Sequence, residues 1–173
     1  MKNTFGNSVT LTLFGESHGE AVGCVLDGMA PGIAVNEEEM ARRMALRQAK
    51  GDLSTARREP DEVRILSGVY RGYTTGTPIT LMIENRATRS GDYEKTASLA
   101  RPGHADFTAR EKYHGFADPH GGGHFSGRIT AGLVAAGSIC AAALAGKGIF
   151  IGTHISRCAG IADRPFAFDP RLI

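Results

Sequence analysis

The sequence predicts an α+β fold in which antiparallel strands pack on one long helix. Runs of alternating or β-branched residues predict strands at 8–14, 21–26 and 79–84. A stretch without any charged residue, 129–146, lies within a predicted helix over 126–146. A hydrophobic content of 42% supplies enough apolar surface for a buried core.

The first half of the chain begins with a predicted hairpin, because strands 8–14 and 21–26 flank the short polar connection GESHGE at 15–20. A helix is predicted over 36–48. Asn36 is a favourable N-cap, and Glu39 follows three residues later as in a capping box. Short strands are expected at 63–66 and 68–70, with a turn at 74–78 before strand 79–84.

In the second half we predict a long polar loop at 86–101, a short helix at 104–114, a glycine-rich loop at 119–127, the long helix at 126–146 and a last strand at 149–156. The uncharged segment 129–146 has the length of a membrane span. It consists mostly of Ala, Gly, Ser and Thr, which insert poorly into a bilayer. We therefore expect a central helix buried on all sides, and no membrane partner.

Length and composition limit the class of protein. The 173 residues predict a single domain, 1–173, and exclude a disordered tail, a collagen-like fibre and a disulfide-stapled scaffold. The three cysteines, Cys24, Cys140 and Cys158, are odd in number and far apart, so neither a disulfide framework nor a paired-cysteine metal site is expected. The N-terminal residues lack the pattern of a signal peptide, which predicts a cytoplasmic protein.

The pentapeptide GESHG at 15–19 matches the G-x-S-x-G pattern of serine hydrolases. In that alternative Ser17 would be the nucleophile, and HGGG at 120–123 would resemble an oxyanion loop. The pattern requires a helix after the turn, whereas AVGCVL at 21–26 predicts a strand. Covalent labelling of Ser17 by a fluorophosphonate would test the alternative.

Two histidines, His18 and His104, lie beside glycines in predicted loops, where function concentrates. Imidazole can donate or accept a proton near neutral pH. His120 and His124 flank three glycines, and no HExxH pattern is present, so no metal site is predicted.

Arginines are concentrated in predicted loops, where the bidentate guanidinium suits a compact polyanion. The set comprises Arg47, Arg57, Arg58, Arg89 and Arg101, with Lys50 nearby. Neither an RNP-like aromatic pattern nor a helix-turn-helix is present, so nucleic acid is not the expected partner. The glycines at 121–123 would let the backbone approach a ligand, and Ser126 could cap the following helix.

An ordered set of motifs resembles the chorismate synthase family. The matching segments are FGESHG (14–19), DGMAPG (27–32), STARREPDEV (54–63), LSGVYRGYTTGTPI (66–79), RPGHAD (101–106), KYHGFADPHGGGHFSGR (112–128) and VAAG (134–137). They extend from residue 5 to about residue 146. The specificity lies in the set, since each motif alone is weak.

The resemblance implies a lyase of the shikimate pathway, which supplies aromatic amino acid biosynthesis. The family converts 5-enolpyruvylshikimate 3-phosphate to chorismate and phosphate by anti-1,4-elimination. It requires reduced FMN without net redox change, and NADPH only indirectly, for flavin reduction. The family fold is a β-α-β sandwich of antiparallel strands around a central long helix, and its members are usually homotetramers.

The same resemblance implies roles for particular residues. His18 would be the general acid for the departing phosphate, and His104 would lie beside the flavin. Substrate contacts would come from Ser17, Arg47, Arg57, Arg58 and Arg128. Cofactor contacts would come from Arg47, His104, His124, Phe125 and Ser126, with Arg47 at the family's nicotinamide-contact position.

The chain departs from the family in three segments and in length. Arg47-Gln48-Ala49-Lys50-Gly51 replaces a run of arginines, His124-Phe125-Ser126 replaces Arg-Ser-Ser, and His120 stands where arginine is frequent. Family chains are about twice as long, so the resemblance covers only an N-terminal portion of the fold. We therefore expect no turnover by this chain alone, an expectation that chorismate formation by the purified chain would overturn. A non-catalytic remnant remains a further alternative, expected to fold without binding flavin.

Overall fold

The computed structural model describes residues 2–49, 59–87 and 99–164. Within these ranges, five antiparallel strands form the main sheet in the order β1-β2-β3-β7-β4. Two short hairpins, β5–β6 and β8–β9, lie outside it. The strands are β1 Thr4–Gly6, β2 Thr10–Gly15, β3 Ala21–Asp27, β4 Val63–Ser67, β5 Val69–Tyr70, β6 Tyr73–Thr74, β7 Ile79–Glu84, β8 Arg157–Cys158 and β9 Ile161–Ala162.

In the described part of the chain, three α-helices accompany the strands: α1 Glu37–Arg47, α2 Asp106–Lys112 and α3 Thr130–Ala145. The core lies between the sheet and the helices α1 and α3. Alternate residues of β3 and β7 are at most 2% exposed and share this core with Met40 and Met44 of α1 and with Ala135 and Ile139 of α3. The α+β class is thereby confirmed, with one sheet and a helical layer.

Helix α3 lies unusually close to strand β3 because Gly132 faces it. A Cβ atom at Gly132 would lie 2.8 Å from the carbonyl carbon and oxygen of Gly23. The Cys24 thiol donates a hydrogen bond to the Gly132 carbonyl oxygen at 3.2 Å. Burial raises the pKa of this thiol to about 12, so it stays protonated and serves packing.

The expectation that the long helix is buried on all sides is wrong for the described part of the chain. One face carries the buried Ala131, Ala135 and Ile139, whereas Leu133 on another face is 42% exposed. By length and composition Gly127–Ala145 could cross a membrane, and 44% of its apolar window is buried inside the chain. Its buried face packs on the sheet, which favours a core helix.

The local predictions are largely confirmed. Helix α1 begins after Asn36, whose side-chain oxygen accepts a hydrogen bond from the Glu39 backbone N–H at 2.9 Å. The Glu39 carboxylate binds Arg42 and Arg43 and does not complete a capping box. Helix 126–146 begins with a 3₁₀ turn, Gly127–Ile129, that Ser126 caps by accepting from the Arg128 N–H at 3.2 Å.

The strand predicted at 149–156 is wrong. No strand occurs there among the described residues, and β8 and β9 follow it as a short hairpin that the sequence reading missed. Ile149, Phe150, Ile151 and Ile155 are all at least 44% exposed. β-forming residues produce a strand only where a sheet edge pairs with them, because their preference reflects packing on a half-buried surface.

Candidate active site

The connection between β2 and β3 carries Ser17 and His18. Ser17 is fully buried, and its backbone N–H donates to the Gly123 carbonyl at 3.0 Å. Its hydroxyl lies 2.9 Å from His18 Nδ1 and donates to the His120 carbonyl at 3.3 Å. The hydroxyl proton is therefore directed at His120, and Ser17 Oγ accepts from His18 Nδ1–H. One nitrogen of the His18 ring is therefore held by the Ser17 side chain.

The glycine-rich loop packs directly on this turn. All three glycines, 121–123, have positive φ angles, which L side chains rarely adopt. A Cβ atom at Gly121 would overlap the His18 ring and lie 2.9 Å from Ser17 Oγ. His124 ties the same loop to the end of β2, because its Nδ1 donates to the Gly15 carbonyl at 2.8 Å. The loop is therefore shaped to the His18 imidazole.

A buried ion cluster lies behind the turn. Asp61, only 4% exposed, is paired by one carboxylate oxygen with Arg47 and by the other with Arg128. Arg128 also donates to the Glu84 carbonyl at 3.1 Å and from Nε to Asn85 Oδ1 at 2.8 Å. Its guanidinium therefore contacts protein acceptors through all three nitrogens.

Arg47, unlike Arg128, does not use all of its guanidinium nitrogens for short hydrogen bonds to described residues. Its second terminal nitrogen makes only long contacts, 3.4 Å to the Gly127 carbonyl and 3.5 Å to Thr130 Oγ1. Among the described residues, Arg47 Nε is the buried side-chain polar atom without a hydrogen-bond partner. The Arg47 guanidinium is thus less fully hydrogen-bonded by the described residues than that of Arg128.

A cavity of about 140 Å³ lies between helix α2 and the glycine-rich loop. Its lining includes Arg101, Asp106, Arg110, Gly122 and Phe125. The Phe125 ring is 44% exposed and lies 5.8 Å from the Tyr113 ring, centroid to centroid. The cavity combines an aromatic surface with guanidinium groups.

His104 is exposed on the loop that precedes α2, and its Nδ1 donates to the Pro102 carbonyl at 3.2 Å. The same loop is fixed by Arg101, which makes three hydrogen bonds to the Asp106 carboxylate. The side-chain bonds from Arg101 are the main reason why the pKa of Asp106 falls to about 2.

This lowered pKa predicts a pH dependence of stability. Because the folded value lies below the unfolded value of about 3.9, the pairing stabilises the folded chain fully above about pH 4. Its contribution is lost as the pH falls towards the folded value of about 2. We expect the difference in unfolding free energy between the natural chain and Asp106→Asn to narrow between pH 6 and pH 3 in urea titrations. An equal difference at both pH values would contradict this.

The structure brings together some of the residues that the sequence singled out. Ser17, His18, the triple glycine, His124 and Ser126 lie on the turn or on the loop packed against it. Phe125 lines the neighbouring cavity, while His104 lies on the loop that contributes Arg101 to that cavity. Arg57, Arg58, Arg89 and Lys50 lie outside the described residues.

Sequence reasoning missed Asp61, Asn85 and the pair formed by Asp118 and His120, whose Oδ1 and Nδ1 atoms are 2.5 Å apart. No spacing in the sequence marks Asp61 or Asn85, because their partners are distant along the chain. In the described ranges, no group of three or more His, Cys, Asp or Glu side chains could hold a metal ion.

Comparison with known proteins identifies the family. The family model for chorismate synthase matches residues 9–171. The chain belongs to the chorismate synthase family. It is 51% identical over 167 residues to chorismate synthase of Pyrococcus abyssi, covering 96% of this chain and 47% of the relative. It is 47% identical over 161 residues to chorismate synthase of Chitinophaga pinensis, covering 93% of this chain and 48% of the relative.

The fold comparison agrees with the family. A crystal structure of chorismate synthase matches with a TM-score of 0.57 and 28% identity, covering 82% of this chain and 36% of that chain. The chain thus spans about half the length, 47% and 48%, of the curated relatives it matches. The resemblance inferred from the motifs is confirmed.

The serine hydrolase alternative is not supported by these relatives or by the geometry. The chain passes from β2 through the turn directly into β3, whereas a nucleophile elbow requires a helix after the serine. Ser17 is fully buried, and its hydroxyl donates to a backbone carbonyl. A nucleophilic serine must instead be exposed to its substrate.

Proposed function

We propose that this chain supplies the His18 portion of a chorismate synthase active site, for anti-1,4-elimination of phosphate from 5-enolpyruvylshikimate 3-phosphate. The reaction class is that of a carbon–oxygen lyase acting on phosphates. The Ser17–His18 pair, enclosed by the triple glycine, carries the proposal. It holds one imidazole nitrogen at Ser17 Oγ and fixes the ring against Gly121, and we propose that the other nitrogen transfers the proton.

The role proposed for His18 follows from its hydrogen bonds. In the imidazolium form both ring nitrogens carry a proton, and Nδ1–H is held by Ser17 Oγ. The Nε2 proton can then pass to an oxygen of the departing phosphate as the carbon–oxygen bond breaks. Ser17 thus orients the acid, and the imidazole retains its Nδ1–H in both protonation states.

Arg47 is proposed as an anion or nicotinamide contact from its motif, and its second terminal nitrogen makes only long contacts to described residues. Arg57 and Arg58 remain proposed substrate contacts from their motif. Arg128 is not proposed as a direct contact, because its nitrogens donate to Asp61, Asn85 and Glu84.

The described residues fit part of a flavin. The exposed face of Phe125 suits the flat ring, and Arg101 and Arg110 in the same cavity suit its phosphate. Bound reduced FMN would supply the electron-rich ring that the family's reaction requires without net redox change. His104, His124 and Ser126 are proposed to lie at this cofactor, and NADPH acts only through flavin reduction.

Residues 1–173 are proposed to form a single domain, the N-terminal portion of the family fold. We also propose a cytoplasmic location and a homotetramer at the family's full length. Nucleic acid and membranes are not proposed as partners.

A chimera tests the proposed activity. This chain would replace the matching portion of the Pyrococcus abyssi relative, and chorismate formation would be measured anaerobically with reduced FMN. We expect turnover, and a loss of about 10²–10⁴-fold in kcat for His18→Asn, the range for removal of a general acid. The matched control is His114→Asn, at an exposed residue whose positive φ asparagine tolerates.

Two results would overturn the proposal. One is a folded chimera that binds reduced FMN and forms no chorismate. The other is a His18→Asn chimera that retains the full rate. The chain alone, assayed in parallel, tests the expectation that it does not turn over.

A further inference from the structure

We infer that Asn85 is a positioning residue for His18, an inference that rests on the proposed function. Asn85 directly follows strand β7 and lies behind the turn that carries Ser17 and His18. Both hydrogens of its side-chain amide are donated to this turn. One binds the Glu16 carbonyl at 2.9 Å and the other binds the Gly19 carbonyl at 2.8 Å.

These two carbonyls enclose the pair Ser17-His18 on either side in the sequence. The turn is closed by a third bond, from the Gly19 N–H to the Glu16 carbonyl at 3.2 Å. The Asn85 backbone N–H donates to the Glu20 carbonyl at 2.9 Å and so fixes the start of β3 as well. One residue that is distant in the sequence therefore donates to three backbone carbonyls of the turn.

The orientation of the Asn85 amide is itself fixed. Its Oδ1 accepts a hydrogen bond from Arg128 Nε at 2.8 Å, so the oxygen must face the guanidinium and the nitrogen must face the turn. The side chains of Arg128 and of its partner Asp61 are only 5% and 2% exposed. Separating a buried charged pair of this kind costs several kcal/mol of stability, so the pair holds its position.

Strain at Asp61 agrees with this arrangement. Its φ angle of 52° is unusual for a residue other than glycine. Such a conformation persists where surrounding contacts determine it, and here they are the ion pairs to Arg47 and Arg128. The buried Asp61 and Arg128 and the half-buried Asn85 thus form one hydrogen-bonded path that ends at the His18 turn.

The His18 ring meets Gly121 with no room for a Cβ atom. The ring therefore packs against the glycine-rich loop, while Asn85 holds the turn that carries His18. Loss of the two amide donors should let the turn shift and misalign Nε2, while substrate contacts made elsewhere remain. Such a change lowers kcat more than it raises KM.

The first test uses the 173-residue chain with ¹⁵N-labelled histidine. Asn85→Asp replaces the two donors by acceptors facing the same carbonyls, and Asn85→Ala removes them without adding charge. We expect both variants to shift the His18 ring nitrogen resonances and its tautomer population. The control Asn7→Asp makes the first substitution at an exposed residue and should leave them unchanged.

The second test places the same variants in the active chimera. We expect a loss of about 10²-fold in kcat with KM changed less than about threefold, the pattern of a misplaced catalytic group. Unchanged His18 resonances and unchanged kcat in folded Asn85 variants would overturn the inference. If these variants do not fold, the Arg128→Lys variant is measured instead. It keeps a cation near Asp61 but lacks the Nε donor to Asn85. An unaltered His18 spectrum in this variant would also overturn the inference.

The proposed function and the proposed role of Asn85 can be overturned independently of each other. A chimera without lyase activity would overturn the proposed function, whereas the histidine spectra of the chain would still decide whether Asn85 positions His18.

Discussion

Gly121→Ala should strongly lower the activity of the chimera. The added Cβ atom would occupy the space of the His18 ring and crowd Ser17 Oγ, 2.9 Å away. The ring must then leave the position in which Ser17 accepts from its Nδ1–H. We expect kcat to fall by about 10²-fold or more, as for a catalytic group displaced by about 1 Å. The measurement is the initial rate of chorismate formation at saturating substrate.

Gly32→Ala is the matched control for this change. Gly32 has a φ angle of +82°, as unfavourable for alanine as the +62° of Gly121, but nothing lies within 4 Å of its added Cβ. Gly32→Ala should therefore show only the effect of the strained backbone, a loss of about 1 kcal/mol in the free energy of unfolding, and its kcat should be retained. Equal losses of kcat in both variants would show that contact with His18 is not the cause.

Asp61→Ala should cause a large loss of stability. It leaves the buried Arg128 guanidinium and the partly buried Arg47 without their shared carboxylate. Removing one partner of a buried ion pair typically costs about 3–5 kcal/mol. We expect a loss of this size in the unfolding free energy from urea titration, together with a shifted His18 spectrum through Asn85.

The neighbouring carboxylate provides the control. Glu62 pairs with Arg86, and their side chains are 66% and 52% exposed. Exposed pairs contribute about 0–1 kcal/mol, so Glu62→Ala should change stability little. A loss for Asp61→Ala no larger than that for Glu62→Ala would contradict the buried network.

How far the fold could be predicted depended on the range of the interactions. The helix at 36–48 and the strands at 21–26 and 79–84 were predictable, because capping and alternation act within a few residues. The segment 149–156 was not, since its β-forming residues lack a sheet edge in the described structure. The one-sided burial of α3 was likewise hidden, because a helix rich in small residues gives no periodic pattern.

The candidate site, like the fold, could be predicted only in part from the sequence. The motifs GESHG and HGGG indicated where chemistry concentrates, and the ordered set of motifs indicated the family. They did not indicate that Gly121 lies against His18. They also gave Arg128 an expected substrate contact, where the structure gives it Asp61, Asn85 and Glu84 as partners.

The amino-acid sequence by itself determined most of the local elements, the family and the candidate residues for proton transfer. Only the tertiary structure decided which polar groups meet: Arg128 pairs with Asp61 across 67 positions, and Asn85 reaches Gly19 across 66. The physical reason is the sheet order β3-β7-β4, which brings the end of β7 beside the start of β3. Local hydrophobic periodicity reports the conformation and burial of each strand, and it carries no record of which strands become neighbours.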